Sequence, residues 1–382
     1  MISNAILRLL WRQWNHHPKK TVINLTYNVH GQFYGTFSAY PKTHEAKAVS
    51  EAEKIVGYPT SFLSFRHLLT DEVSNVAVHM KKLLGSRHPL MHTIRGLINN
   101  SYNENKAKYS LIVLLIAKAA GKSQMIEEQS VDGIYPTQRS LAEITEIIRM
   151  AQIIHTGVVN LPEPIASEED KELQLGNKMA VLIGDFLLAK ASNGLAKLEN
   201  TQVVQLMSEA ISEMMEGEFL CSTIQDVIKS DIIDYVNLWE QRTLLRKGSL
   251  LSKSCQCALK LVNHSEEAQM VANNFGQNLA YTQQLSLELS ALQLDDTGSQ
   301  IDYTSLPALL ALQNSEDKAT LFSSNIQFYK HQKLVLDEVK TVYETYKSKL
   351  LDSLAYFQDC DAKTALEKIV ITNMNGLKIF HL

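Results

Sequence analysis

Leu175-Gly176-Asn177-Lys178-Met179-Ala180-Val181-Leu182-Ile183-Gly184-Asp185-Phe186-Leu187-Leu188-Ala189 is the stretch on which the reading of this chain turns. From Met179 through Ala191 it is strongly apolar and reads as a helix, with Gly184 allowing a neighbour to approach closely. Upstream, apolar residues recur at three and four from Gln138 to Val159, including Leu141, Ile144, Ile148, Ala151 and Ile154, and Pro162 and Pro164 are expected to end that helix. The acids Glu168 to Glu172 between the two helices read as a solvated loop. Further out, helices are expected at Ala46 to Lys54, Asp71 to Leu84, Leu111 to Ala120 (closed by Gly121), Val203 to Met215, Asp234 to Val262, Glu266 to Gln293, Phe328 to Tyr356 and Ala362 to Ile371. Strand-like alternation is hard to find, so the chain reads as all-α.

Composition agrees. Gly (16) and Pro (8) are scarce for 382 residues, so few breaks are forced. A net charge of -4 argues against a general nucleic-acid binder, which would carry a basic face. No apolar run reads as long enough to span a bilayer, so membrane contact is expected to be at most peripheral. Cys221, Cys255, Cys257 and Cys360 form no disulfide framework, and Cys255 and Cys257 lack the partners of a zinc site. No acid precedes Glu45, while Arg8, Arg12, Lys19 and Lys20 and an apolar side of Ile2, Ile6, Leu9, Leu10 and Trp14 give the start the composition of a mitochondrial presequence. The expected organisation is a leader over 1–45 and one helical domain over 46–382.

Several blocks in register resemble the trans-isoprenyl diphosphate synthases. They are the stretch quoted above, Gln138-Arg139-Ser140-Leu141-Ala142-Glu143-Ile144, Ile153-Ile154-His155, Arg242-Thr243 with Gly248 and Leu250-Leu251, and Phe275-Gly276-Gln277-Asn278-Leu279-Ala280. The resemblance implies a bundle of long, mostly antiparallel helices around a central cavity. It also implies chemistry in which an allylic diphosphate ionises and isopentenyl diphosphate is added. In the family that ionisation depends on magnesium held by two D-D-x-x-D motifs, whose acids at i and i+4 share one helical face.

Neither motif is present. In the first register stand Thr156-Gly157-Val158-Val159-Asn160, with no carboxylate, and Leu161-Pro162-Glu163-Pro164 replace the arginines that usually follow. In the second stand Leu287-Glu288-Leu289-Ser290-Ala291, with one acid where three belong. Thr156, Gly157, Asn160, Leu287 and Ala291 cannot neutralise a metal, so no catalytic residue and no metal site is assigned to this chain. The pair Asp295-Asp296 is a polar loop rather than a displaced site, and His155 and Asp185 are packing or hydrogen-bonding residues by default. In the register of the family's basic substrate site stand Lys106 and Lys108, and Arg242 stands where the family usually has a lysine, so the resemblance implies residual phosphate contacts at these three, with helix-surface ion pairing the preferred role for Arg242.

Lys54-Ile55-Val56-Gly57-Tyr58-Pro59-Thr60-Ser61-Phe62 and Leu69-Thr70-Asp71-Glu72 resemble the second subunits of heteromeric decaprenyl or solanesyl diphosphate synthases. That resemblance implies a mitochondrial matrix protein paired with an aspartate-bearing catalytic subunit. The partner would hold the Mg²⁺, and isoprenoid diphosphates would be handled through the complex to build the side chain of ubiquinone. On this reading Glu288→Gln leaves turnover unchanged, whereas changes in the apolar helices abolish it. The alternatives are a non-enzymatic isoprenoid-binding or scaffold protein of that pathway, and an enzyme using a different metal arrangement.

Overall fold

A computed structural model describes residues 25–27, 33–35, 44–57, 90, 108–123, 130–161, 165, 167–220, 234–293, 302–315, 331 and 333–375. The expected helix at Asp71 to Leu84, the bulk of the leader, Lys106, Pro162 to Pro164, Cys221 and Asp295-Asp296 lie outside the described residues.

Two short strands, β1 (Leu25–Tyr27) and β2 (Phe33–Gly35), pair antiparallel with Thr26 opposite Tyr34. They fall inside the expected leader and were not anticipated. Thr, Tyr and Phe favour an extended backbone, but a strand of three residues is too short to show alternation. The helices follow: α1 (His44–Val56), α2 (Tyr109–Ala119), α3 (Pro136–His155), α4 (Glu168–Ala196), α5 (Thr201–Phe219), α6 (Tyr235–Thr243), α7 (Ser249–Lys260), α8 (Glu266–Gln293), α9 (Leu306–Gln313), α10 (Leu336–Ala355) and α11 (Asp361–Asn375). A π-helical segment, Leu244–Gly248, joins α6 to α7.

α2 is the hub because its sequence is apolar all round, and Leu111 through Ala117 are fully buried. α3, α7, α11 and α1 pack around it, and α7 in turn carries α5 and α8. α7 and α8 cross backbone to backbone, since a Cβ at Gly276 would stand 2.5 Å from the Ser252 Cα. A second, smaller core gathers Trp239, Tyr281, Leu285, Leu289, Tyr343 and Tyr346 with α9, buried from Leu306 through Leu312. Cys255 and Cys257 are buried thiols in the larger core.

Three expectations need correction. The acids Glu168, Glu169 and Asp170 are the first turn of α4, not a loop. Ser167 caps that turn, accepting from the Asp170 N–H while the Asp170 carboxylate accepts from the Ser167 N–H, and acids there complement the helix dipole. With those residues included, α4 is the one described helix long and apolar enough to cross a bilayer. α3 ends at His155, several residues before the prolines, for a reason that lies in the site itself.

Candidate functional site

The register of the first lost motif begins where α3 stops. Thr156 is exposed and its Oγ1 donates to the Ile153 carbonyl at 2.8 Å, while Gly157 is buried and Asn160 exposed. Val159 is held by Asn177 of α4. Its N–H donates to Asn177 Oδ1 at 2.9 Å, and Asn177 Nδ2 donates to its carbonyl at 2.7 Å. The side-chain amide thus satisfies both backbone groups of Val159 outside the helix. Gly184, one helical face along α4, abuts the His155 ring so closely that a Cβ there would fall within it. His155 Nε2 lies 3.4 Å from the Val181 carbonyl and 3.4 Å from Asp185 Oδ1. The close approach that Gly184 allows is therefore that of His155.

In the second register Leu287 is 45% exposed and Ala291 is exposed, so these two positions face outward without a ligand atom. Glu288, about 60° around the helix from Ala291, is buried. Its Oε1 accepts from Trp239 Nε1 (3.1 Å) and Gln284 Nε2 (2.6 Å), and its Oε2 accepts from the Leu306 N–H (2.9 Å) at the first turn of α9. Both oxygens are engaged, tying α8 to α6 and α9. Burial pushes this carboxyl up to about 7 against the pull of those three donors.

Cations stand beside this clasp. Lys247 Nζ donates to Gln284 Oε1, so the amide of Gln284 separates a lysine from Glu288. Lys247 is exposed by surface area, yet crowding by protein atoms, with Arg246 beside it, lowers its pKa. Arg246 is held by Glu218 through two bonds of 2.9 and 2.8 Å. The carbonyls of this π segment are also bound, that of Arg246 by Gln152 Nε2 at 2.9 Å and that of Lys247 by Tyr109 Oη at 3.1 Å. Such segments recur at functional sites, and here side chains of α2 and α3 support one.

Of the expected phosphate residues, Arg242 makes no surface ion pair among the described residues. Its Nη1 reaches the Thr304 carbonyl at 3.5 Å and its buried Nε has no partner. Burial and then Arg246 lower its pKa, opposed by Asp302. Lys108 sits at the start of α2 with its pKa lowered by burial, and Glu146 works against that shift. The Glu146 carboxylate accepts from the Ser110 N–H at 3.4 Å and from Arg149 at 2.9 Å, so the start of α2 already faces a protein anion. Trp239, Gln284, Lys247 and Asn177 were not singled out from sequence. The signal available was a polar residue on an otherwise apolar helical face.

The residues present do not fit the family's magnesium. Thr156, Asn160, Leu287 and Ala291 offer no carboxylate, and the oxygens of Glu288 are spent on three protein donors. No group of three or more His, Cys, Asp or Glu side chains able to hold a metal occurs among the described residues.

The family profile described as Polyprenyl synthetase matches residues 94–346. A human protein, All trans-polyprenyl-diphosphate synthase PDSS2, is 38% identical over 361 residues, covering 89% of this chain and 90% of its own. A probable mitochondrial hexaprenyl pyrophosphate synthase of Neurospora crassa is 27% identical over 370 residues, covering 81% of each. Among solved structures, a decaprenyl diphosphate synthase from Rhodobacter capsulatus superposes with a TM-score of 0.60 at 15% identity, over 87% of this chain and 98% of that one, which shows the shared fold.

Proposed function

The chain belongs to the polyprenyl synthetase family, and from that premise we propose that it is a required but non-catalytic subunit of a heteromeric trans-polyprenyl diphosphate synthase. In this reading an aspartate-bearing relative holds the Mg²⁺ and ionises the allylic diphosphate. The complex then adds isopentenyl diphosphate units to make the side chain of ubiquinone, in the mitochondrial matrix. The observation that carries the proposal is the state of Glu288. The one acid left in either motif register is buried beside the exposed Leu287 and Ala291, and is committed to Trp239, Gln284 and Leu306. A carboxylate buried so, with both oxygens already accepting from protein donors, is poorly placed to neutralise a substrate-bound cation.

This chain's own contribution is structural. The Asn177–Val159 clamp and the Glu288 clasp hold the two motif registers as packed joints between helices. Lys247 and Arg242 keep positive charge beside them and supply the means for contact with a diphosphate, without ionising it.

The test is a magnesium-dependent polyprenyl synthase assay on the purified chain, alone and co-expressed with an aspartate-bearing relative. Activity confined to the pair is expected. Turnover by the isolated chain would refute the reading of the lost carboxylates. A verified complex with no turnover would favour a scaffold or isoprenoid-binding role instead.

A further inference from the structure

Where α8 meets the π segment, Glu288, Gln284 and Lys247 form a chain in which each link depends on the next. Gln284 is half-buried and stands one helical turn before Glu288 on α8. Its amide donates from Nε2 to Glu288 Oε1 at 2.6 Å and accepts at its own Oε1 from Lys247 Nζ. The nitrogen thus faces an acid and the oxygen faces a cation. A primary amide has a donor end and an acceptor end, and turning it over about its last bond exchanges them.

The orientation found suits an ionised acid. A carboxylate only accepts, and each of the three groups on Glu288 presents an N–H to it. A protonated acid carries an O–H that needs an acceptor, and a buried donor without one is costly. Trp239 and the Leu306 backbone offer an N–H and nothing else at their contacts with this group. Gln284 carries an oxygen as well, and a half turn of the amide brings it to Glu288. A protonated Oε1 still accepts from Trp239, and Oε2 still accepts from Leu306, so the clasp on α9 survives the change.

We propose that Gln284 is a proton-operated relay: protonation of Glu288 turns the Gln284 amide over, and the turn releases the Lys247 ammonium from its tether. After the turn the amide nitrogen faces Lys247, and two donors make no bond. Lys247 also loses the pull of the Glu288 charge, which favours its protonated form. Burial pushes the Glu288 carboxyl up to about 7, which puts the relay near neutral pH. The charges that act on it are Asp302 ahead of α9, which raises it further, and Arg242 and Lys247 on the α6 side. Towards α10 the surrounding core holds Tyr343 and Tyr346, whose hydroxyls burial keeps protonated, and Tyr346 donates to Glu240. Because Lys247 is exposed, its release places a mobile positive charge beside the second motif register below about pH 7 and withdraws it above. The relay belongs to this chain alone and does not depend on the auxiliary role proposed above.

The experiment follows acetylation of Lys247 in the full folded chain by mass spectrometry between pH 6 and pH 8.5. Each rate is divided by that of Gln284→Met at the same pH, which cancels the intrinsic pH dependence of an amine. The ratio is expected near one at pH 6 and about fivefold lower at pH 8.5, the size of one exposed charged hydrogen bond. Its midpoint should match that of Trp239 emission, read in a Trp11→Phe/Trp14→Phe background, and Glu288→Gln should abolish the step. Asp302→Asn should move the midpoint to lower pH and leave the step in place. Circular dichroism checks each variant, and Gln284→Asn, too short to span both partners, replaces the Met variant as reference if that one does not fold. A ratio that stays flat would overturn the proposal, whether or not Trp239 titrates. So would a step that survives in Glu288→Gln, or one lost in Asp302→Asn, which would make Asp302 the acceptor of the proton. The assay of the chain with its aspartate-bearing relative is independent of these outcomes, so either reading can fail while the other stands.

Discussion

Replacing Glu288 by Gln isolates the cost of keeping a buried acid. The folded protein raises this carboxyl from its ordinary 4.5 to about 7, chiefly through burial. The protonated form is therefore the one folding favours. Stability from this group is fully present below the unfolded value and is lost as pH rises through the folded one. With those two values, linkage removes about 2.5 kcal/mol between pH 5 and pH 8, at about 1.36 kcal/mol per unit of difference. Gln matches the protonated acid in shape and in lacking charge, so it lacks this slope; its NH2 cannot accept as a carboxyl oxygen does, a cost that does not vary with pH. Unfolding free energies of both proteins at pH 5 and pH 8 give a double difference in which all other titrating groups cancel. The variant should gain about 2.5 kcal/mol on the wild type between the two pH values. Trp239, which donates to this carboxylate, supplies a local probe. In a Trp11→Phe/Trp14→Phe background its emission should titrate with a midpoint of about 7, and Glu288→Gln should abolish that titration. A double difference near zero would refute the argument, because the carboxylate would then be hydrated in the folded state. The variant also sharpens the expectation that turnover survives this change. Because Glu288 braces α9, turnover must be read on assembled complex.

Three further outcomes follow from the packing. Gly184→Ala places a methyl within the His155 ring and should cost about 1–3 kcal/mol, read by thermal unfolding, and His155→Ala in the same chain should recover part of it. Asn177→Ala leaves both backbone groups of Val159 without their partner and should cost about 1–3 kcal/mol, with faster hydrogen exchange at the Val159 amide and little change in α7. Burial pushes the Cys257 thiol up to about 12 and Cys255 higher still, so neither should react with a thiol reagent at pH 8 until the chain unfolds. Labelling of either in the native protein would contradict their place in the core.

The sequence was most legible where one physical signal dominated. Leu111 through Ala117, apolar all round, could only be a buried helix, and Gly121 at φ +77 closes it as a left-handed cap should. It was least legible where two signals competed. The acids Glu168 to Glu172 look like solvated loop by composition, yet Ser167 followed three residues later by Asp170 is the reciprocal cap of a helix start. Reading the acids as loop truncated α4 and concealed that a helix of bilayer-spanning length lies half uncovered. The end of α3 carried a weak local signal, Gly157 just past the Thr156 cap, and the prolines further on outweighed it; Asn177 of α4 then satisfies the backbone of Val159 outside the helix.

Glu288 shows why a motif's remnant should be judged by its partners rather than by its residue type. Aligned in register, it is one acid of a metal-binding set. In space, Leu287 and Ala291 face outward, and Glu288, next along the helix from Leu287, turns inward. Helical geometry separates adjacent residues by about 100°, so removing the acids at 287 and 291 removes the face on which a cation would sit, whatever stands at 288. Once that face is apolar, a carboxylate at 288 is best satisfied by the Trp239 N–H, Gln284 and the first turn of α9. Such an acid then stabilises the helix junction as a hydrogen-bond acceptor. On this account restoring Leu287→Asp and Ala291→Asp would supply a face for metal while leaving Glu288 in its clasp, which separates the packing role of this position from the chemistry its register suggests.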